Sequence, residues 1–353
     1  MKRIRVVITG GTIGSRKDET GVIRVEKDLD YSEYFPEDLK GLVEITVTSP
    51  CFVLSENMNF RIWETIMDSV EQILAEEERR SEDIENDFAG ILILHGSDTL
   101  SYTTALFGHL YEKRLEAFGA RMVLTGANKP LSDPDSNGRE NLKLAWSYLL
   151  AGAEEAEQEP KVTSGSEADS CAKTTVFEGK NHMRVCAAFD GKLMDADRIM
   201  EADPYTDRFS EKPLVISEEE WASERERSLS EEQENGVPGI RRFLRKAQLL
   251  KAYPGFDYSL IDLGSPACPK AFVHVLYHSG TGSEELERFM RKCKEKRIQS
   301  FCVSVKREVL SSRYETTDRF MDSAVFLTDM TPEWAFATVL CRLNAPGGPE
   351  KVI

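Results

Sequence analysis

Short β-branched runs that end in Gly, Ser or Thr alternate along the chain with longer stretches whose apolar residues recur at a spacing near 3.6. The runs at 4–9, 43–48, 90–95, 121–125 and 182–189 predict strands, and the stretches at 59–77, 100–117 and 138–151 predict helices. The second half repeats the alternation. Strands are expected at 248–253, 271–277 and 300–306, and helices at 283–296 and from Thr331-Pro332-Glu333 to Leu343. Thr331 reads as the N-cap of that last helix and Pro332 as its first residue. A strand that hands over to a helix and then to another strand must cross back over the sheet, so neighbouring strands run parallel and both faces are covered. The expected fold class is α/β: two α/β domains with mostly parallel sheets. The larger occupies 1–210, an acidic linker 211–245 and the smaller domain 246–353.

Composition narrows the function classes. The chain has 353 residues, 41% hydrophobic and 30% charged, enough for a substantial core in each domain. No apolar run approaches the roughly 18 residues of a membrane span. The first residues read as a strand with a basic edge and not as a signal peptide. A net charge of −16 opposes binding to phosphate backbones and anionic lipid, so nucleic acid and membrane are not expected partners. The seven cysteines are scattered, with no C-x-x-C pair, and read as reduced thiols of a cytoplasmic protein. The five histidines show no metal-ligand spacing. Charge runs at 76–87, 154–170 and 217–235 are expected to be solvated helix faces or loops.

Three strand ends carry the candidate chemistry. Thr9-Gly10-Gly11-Thr12-Ile13-Gly14-Ser15 follows the first strand directly, and ligands of open parallel sheets bind beyond the carboxyl ends of the strands. Two glycines allow a tight turn and a close backbone approach, which leaves the Thr12 hydroxyl at the sheet edge. The segment is neither G-x-G-x-x-G nor a P-loop, so phosphate binding is disfavoured. His95-Gly96-Ser97-Asp98-Thr99-Leu100 repeats the design, with a hydroxyl and a carboxylate just ahead of a helix. Helix capping alone also accounts for Ser97 and Asp98. His95 reads as a buried strand-end side chain and not as a base. Thr125-Gly126-Ala127-Asn128-Lys129-Pro130 and Ser136-Asn137-Gly138-Arg139-Glu140-Asn141-Leu142 supply the third strand end and the turn into the next helix, and scaffold suffices to explain both.

Together these segments resemble the bacterial-type L-asparaginase family of amidohydrolases, in the style of its cytoplasmic type I members. Thr9–Ser15 in the order above matches T-G-G-T-I-[AG]-S/G, and the His95 segment matches H-G-[TS]-D-T-[ML]. Ser55-Glu56-Asn57-Met58, Ser279-Gly280-Thr281-Gly282-Ser283 and Asp329-Met330-Thr331-Pro332-Glu333 resemble further family segments, in order and over nearly the whole chain. The resemblance implies hydrolysis of asparagine to aspartate and ammonia without metal or cofactor. It implies a homodimer or homotetramer whose active site is completed by the neighbouring subunit. By match, Thr12 is the nucleophile and Ser97 the second hydroxyl, with its N–H available to the oxyanion. Asp98 takes the substrate ammonium, Ser55 its carboxylate, and Glu56 and Ser283 are further substrate contacts. Three departures stand out. Counting from Arg198 places Glu201 where the family has a buried lysine, putting a second carboxylate beside Asp98, so Glu201 is expected as a catalytic residue, a protonated partner or a base, or else as the partner of a cationic group on a different substrate. The loop after Ile13 lacks its tyrosine, the nearest being Tyr31 and Tyr34, and Ser283 ends a turn where the family has Asn. An asparaginase, an amidase for another carboxamide or for a cationic substrate that pairs with Glu201, and a pseudoenzyme that binds without turnover remain open readings. An ammonium from Lys173, Lys180 or Lys192 reaching the site would restore the family arrangement.

Overall fold

The computed structural model describes residues 1–26, 35–36, 41–81, 87–151, 183–214, 217, 220–221, 223–225, 227, 239–311 and 314–346. Tyr31, Tyr34, Lys173, Lys180, the 154–170 run and the start of the 182–189 strand lie outside the described residues. The protein is α/β with mostly parallel sheets, and the chain divides into two compact units.

The first unit holds a six-stranded sheet. Its strands are β1 (Lys2–Ile8), β4 (Val43–Thr48), β5 (Phe88–Leu94), β6 (Arg121–Thr125), β7 (Val185–Phe189) and β8 (Lys192–Asp195), in the order β4-β1-β5-β6-β7-β8. From β4 to β7 every pairing is parallel. β6 and β7 are buried at every residue, which is why they read as continuous apolar runs with no alternation. Helix α3 (Gly138–Leu150) covers one face with Leu142, Ala145, Trp146 and Leu149, the 3.6 spacing read from the sequence. Asp190 and Gly191 both take positive φ between β7 and β8, as a two-residue hairpin turn requires. A small hairpin, β2 (Ser15–Lys17) with β3 (Ile23–Val25), leaves the end of β1.

The 76–87 charge run differs from expectation. The basic edge of β1 is not solvated: Arg3 and Arg5 point to one face and clamp Glu77, whose side chain is wholly buried, at 3.0 and 2.8 Å. Glu77 falls on the buried stripe of α1 (Phe60–Ser81), at helical spacing from Val70, Ile73 and Leu74. The 76–87 run is therefore not a uniformly solvated face.

The second unit contains a four-stranded parallel sheet in sequence order: β11 (Ala247–Lys251), β12 (Ala271–Val275), β13 (Gln299–Ser304) and β14 (Val325–Thr328). Phe272 and Cys302 face one layer, with Leu286, Phe289, Met290 and Cys293 of α4 (Glu284–Glu295) and Phe320 of α5 (Glu315–Phe320). Val273, Phe301 and Val303 face the other, with Ala335, Val339 and Leu343 of α6 (Pro332–Asn344). This period-2 alternation between two apolar layers is that of a doubly covered sheet. Thr331 caps α6 by accepting from the Trp334 N–H, with Pro332 in the first turn, as the sequence predicts. The unit also includes residues 58–68 and 98–113, the latter being the first part of α2 (Leu100–Phe118).

The acidic stretch at 211–245 is not simply solvated. Trp221 and Arg225 are buried. The Arg225 guanidinium pairs with Asp195, with Glu112 at 2.5 Å and with Asp197 at 3.1 Å, and lies over the rings of Trp221 and Trp334. The start of the stretch pairs as well: β10 (Ser210–Glu211) is antiparallel to β9 (Ile199–Met200). β2, β3, β9 and β10, of two or three residues, and the six-residue helix α5 are too short to leave a hydrophobic period in the sequence.

Candidate functional site

The Thr-Gly-Gly-Thr turn forms because two other strand ends press against it. Gly10 has φ +107° and Gly11 φ +73°, both left-handed values that favour glycine. A Cβ on Gly10 would sit 2.4 Å from the Val53 carbonyl oxygen, and one on Gly11 2.4 Å from the Cα of Gly96. A Cβ on Gly96 would sit 2.4 Å from Ser55 Oγ. Hydrogen bonds fix the approach: the Gly11 N–H donates to the Val53 carbonyl at 2.7 Å, and the Val53 N–H to that of Thr9 at 2.9 Å. The ends of β1 and β5 and the chain after β4 therefore meet backbone to backbone. Thr12, Ser55 and Ser97 each sit in a short 3-10 turn beside this junction, within one unit. Thr12 and Ser97 are half-buried, Ser55 is buried, and Glu56 and Asp98 are exposed.

The rest of this rim is scaffold. His95 is fully buried, its Nδ1 lies 2.7 Å from the Gly96 carbonyl oxygen, and burial pushes the imidazole down to about 4. It is a neutral strand-end side chain, as its position in the sequence suggests. Asn141 donates to the Gly126 carbonyl and accepts the Asp190 N–H, while Asn137 accepts the Asn128 N–H and donates to Asp190. The two asparagines tie the end of β6 to the β7–β8 hairpin. Lys192 is exposed at the start of β8.

Asp98 and Glu201 belong to the second unit. Asp98 lies in the 3-10 turn that leads into α2, and Tyr102 follows it by four residues, so the two occupy successive turns of one face. The Tyr102 hydroxyl donates to Glu201 Oε1 at 2.7 Å. The Glu201 N–H donates to Oε1 of Glu333, in the first turn of α6. Glu201 is exposed, not a buried carboxylate in place of a buried cation. Glu333 is 2% exposed and has an unpartnered Oε2. Burial, with the charge of Glu201 added, pushes it up to about 7, against a lowering by Lys251. Burial and the same carboxylate raise Tyr102. Sequence reasoning misses Tyr102 and Glu333. The signals that could have found them are the i+4 spacing from Asp98 and an acid directly after the Thr331-Pro332 helix start. Ser283 is the N-cap of α4, accepting the Leu286 N–H at 3.2 Å, which engages its hydroxyl. Among the described residues no group of three or more His, Cys, Asp or Glu is placed to hold a metal ion, and no helix is long and apolar enough to cross a membrane.

A parallel α/β sheet with hydroxyl side chains at the carboxyl ends of β1 and β5 matches the asparaginase fold. L-asparaginase I from Vibrio cholerae superposes with a TM-score of 0.61 at 18% identity, covering 98% of this chain and 92% of that one. The family profile described as "Asparaginase, N-terminal" matches residues 3–193, and the chain belongs to the asparaginase family of amidohydrolases. L-asparaginase 1 of Escherichia coli is 32% identical over 155 residues, 42% of this chain and 40% of that protein. A glutamyl-tRNA(Gln) amidotransferase subunit of Saccharolobus solfataricus is 24% identical across 99% of this chain and 73% of that protein.

Proposed function

We propose that this protein hydrolyses L-asparagine to L-aspartate and ammonia through a threonyl ester. In this reading the Thr12 oxygen attacks the side-chain carbonyl carbon and its proton passes to the leaving nitrogen. The C–N bond breaks to release ammonia, and water then cleaves the ester to give the acid and restore the hydroxyl. An N–H at the Ser97 turn stabilises the oxyanion, Asp98 holds the substrate ammonium, and Ser55 and Glu56 contact its amino-acid head. The observation that carries the reading is the Gly11–Gly96 contact, which brings the residues following each glycine, Thr12 and Ser97, to adjacent turns at one sheet rim. The protein acts in the cytoplasm as a homodimer or homotetramer, and Ser283 of a neighbouring copy completes each site. Ammonia released from millimolar asparagine by the purified protein tests the reaction. Thr12→Ala is expected to lower it by at least about 10³-fold with the melting temperature little changed. Equal rates for the two proteins would reject Thr12 as nucleophile.

The full-length likeness to a protein named as part of an amidotransferase supports a second reading, in which this chain works within a larger assembly. Its signature is a purified chain that releases no ammonia alone and gains activity when cell extract from its source is restored.

A further inference from the structure

A cleft between α4 and the loop 257–264 lies wholly within the second unit and includes none of the residues assigned to amide hydrolysis. Its volume of about 630 Å³ falls in the ordinary range for organic ligands and leaves most of the space unfilled by a single small ion. Tyr258 and Phe289 form an aromatic wall, with ring centroids 5.0 Å apart and planes at 34°, and Ile261 and Leu263 add apolar surface from the loop. Charge is laid beside this wall. α4 and its C-cap carry cations at Arg288, Arg291, Lys292, Lys294 and Lys296. Arg288 pairs with Glu285 at 2.8 Å, Arg291 pairs with Glu287, and Lys294 donates to the Asp322 carbonyl at 2.5 Å. Lys292 and Lys296 both line the cleft, both are exposed, and neither makes an ion pair among the described residues. They stand four residues apart, on successive turns after Phe289. A helix C-terminus attracts cations whichever way they face. It does not account for the two unpaired ones sharing one cleft in a chain of net charge −16. Asp262, from the loop, spends Oδ1 on the Gly264 N–H at 2.8 Å and keeps its second oxygen for another donor.

We propose that this cleft binds a nucleoside monophosphate, with the base against Tyr258 and Phe289, the phosphate at Lys292 and Lys296, and a ribose hydroxyl donating to Asp262. Each part of the ligand answers one part of the cleft. A base offers a flat face to aromatic side chains. Two ammonium groups on one helix face form charge-assisted hydrogen bonds with phosphate oxygens. A carboxylate accepts from sugar hydroxyls. The order Phe289, Lys292, Lys296 along α4 sets the base and the phosphate one after the other, as they lie in the ligand.

The test is calorimetric titration of the full chain with adenosine 5′-monophosphate, adenosine and inorganic phosphate at matched ionic strength. The nucleotide is expected to bind at least about tenfold more tightly than either fragment, since hydrogen bonds to charged groups add to base contact. Lys292→Ala combined with Lys296→Ala removes that advantage and leaves adenosine binding nearly unchanged. Arg291→Ala combined with Lys294→Ala takes the same charge from the same helix outside the cleft and is expected to leave all three affinities as they were. Thr12→Ala binds the nucleotide like wild type, so loss of amide hydrolysis does not bear on the outcome. No binding of the nucleotide at millimolar concentration overturns the proposal. So does phosphate alone binding equally well, or a nucleotide affinity that the 292/296 pair leaves intact.

Discussion

At the scale of single residues, backbone proximity decides which substitutions the site tolerates. Gly11 and Gly21 have similar positive φ, +73° and +83°, but different surroundings: a Cβ at Gly21 meets nothing within 4 Å, whereas one at Gly11 meets the Gly96 backbone. Gly21→Ala is expected to cost about 1 kcal/mol from the left-handed conformation alone. Gly11→Ala should cost several times as much and abolish activity, since the Thr12 and Ser97 turns are forced apart. Urea midpoints for the pair check this, and equal losses would refute the contact argument. His274 is a second such case. It is 1% exposed between Phe272, Phe289 and Tyr258, with neither ring nitrogen partnered, and burial pushes it down to about 3. His274→Leu is expected to stabilise the protein by about 1–2 kcal/mol, and more at pH 5 than at pH 8, because the wild-type ring must stay neutral. Denaturant midpoints at the two pH values give the comparison.

Among elements, the buried charges show how the 211–245 stretch is held. Arg225 pairs with Glu112, Asp195 and Asp197, and Trp221 also donates to Asp197 at 3.0 Å. Arg198, paired with Glu211 and over the Trp221 ring, borders the same cluster. Removing Arg225 takes its guanidinium away from three buried carboxyl groups. Arg225→Met is therefore expected to destabilise by about 3–5 kcal/mol, measured by urea denaturation near neutral pH. Part of that loss should return at lower pH, where the carboxyl groups protonate. No hydrophobic pattern announces this cluster: in the sequence Arg225 is one charge within a polar run, and only the converging carboxylates explain its burial. None of the six described cysteines is in a disulfide.

For the molecule as a whole, the titrations oppose one another. Burial raises Glu112 to about 7, Asp197 to about 6 and Glu333 to about 7. Groups raised in this way contribute most at low pH, and the contribution is lost as pH rises through those values. His95 and His274 are pushed down to about 4 and 3, so their contribution is full above the ordinary histidine value and is lost as pH falls. The net charge of −16 adds repulsion as pH rises. Stability is expected to peak on the acid side of neutrality and to fall between about pH 5.5 and 8, with Glu112→Gln flattening that fall. Urea midpoints across this range provide the check, and a midpoint that rises steadily to pH 8 would contradict the assignment.

The alternation of β-branched runs with 3.6-spaced stretches by itself determined the parallel α/β layout and most core elements. Burying both faces of a sheet demands continuous apolar strands, and a crossover demands a one-sided helix. The glycine-rich strand ends that carry Thr12, Ser97 and Asp98 are local features that the sequence displays directly, whereas Ser55 stands out only by its resemblance to a family segment. Only the tertiary structure decided that Gly11 rests on Gly96, that Glu77 and Arg225 lie inside, and that Glu201 reaches Tyr102 and Glu333. Those facts depend on groups 30 to 132 residues apart along the chain, or on backbone φ values. Charge can be read locally, but whether it meets water or an opposite charge is settled only when distant segments meet.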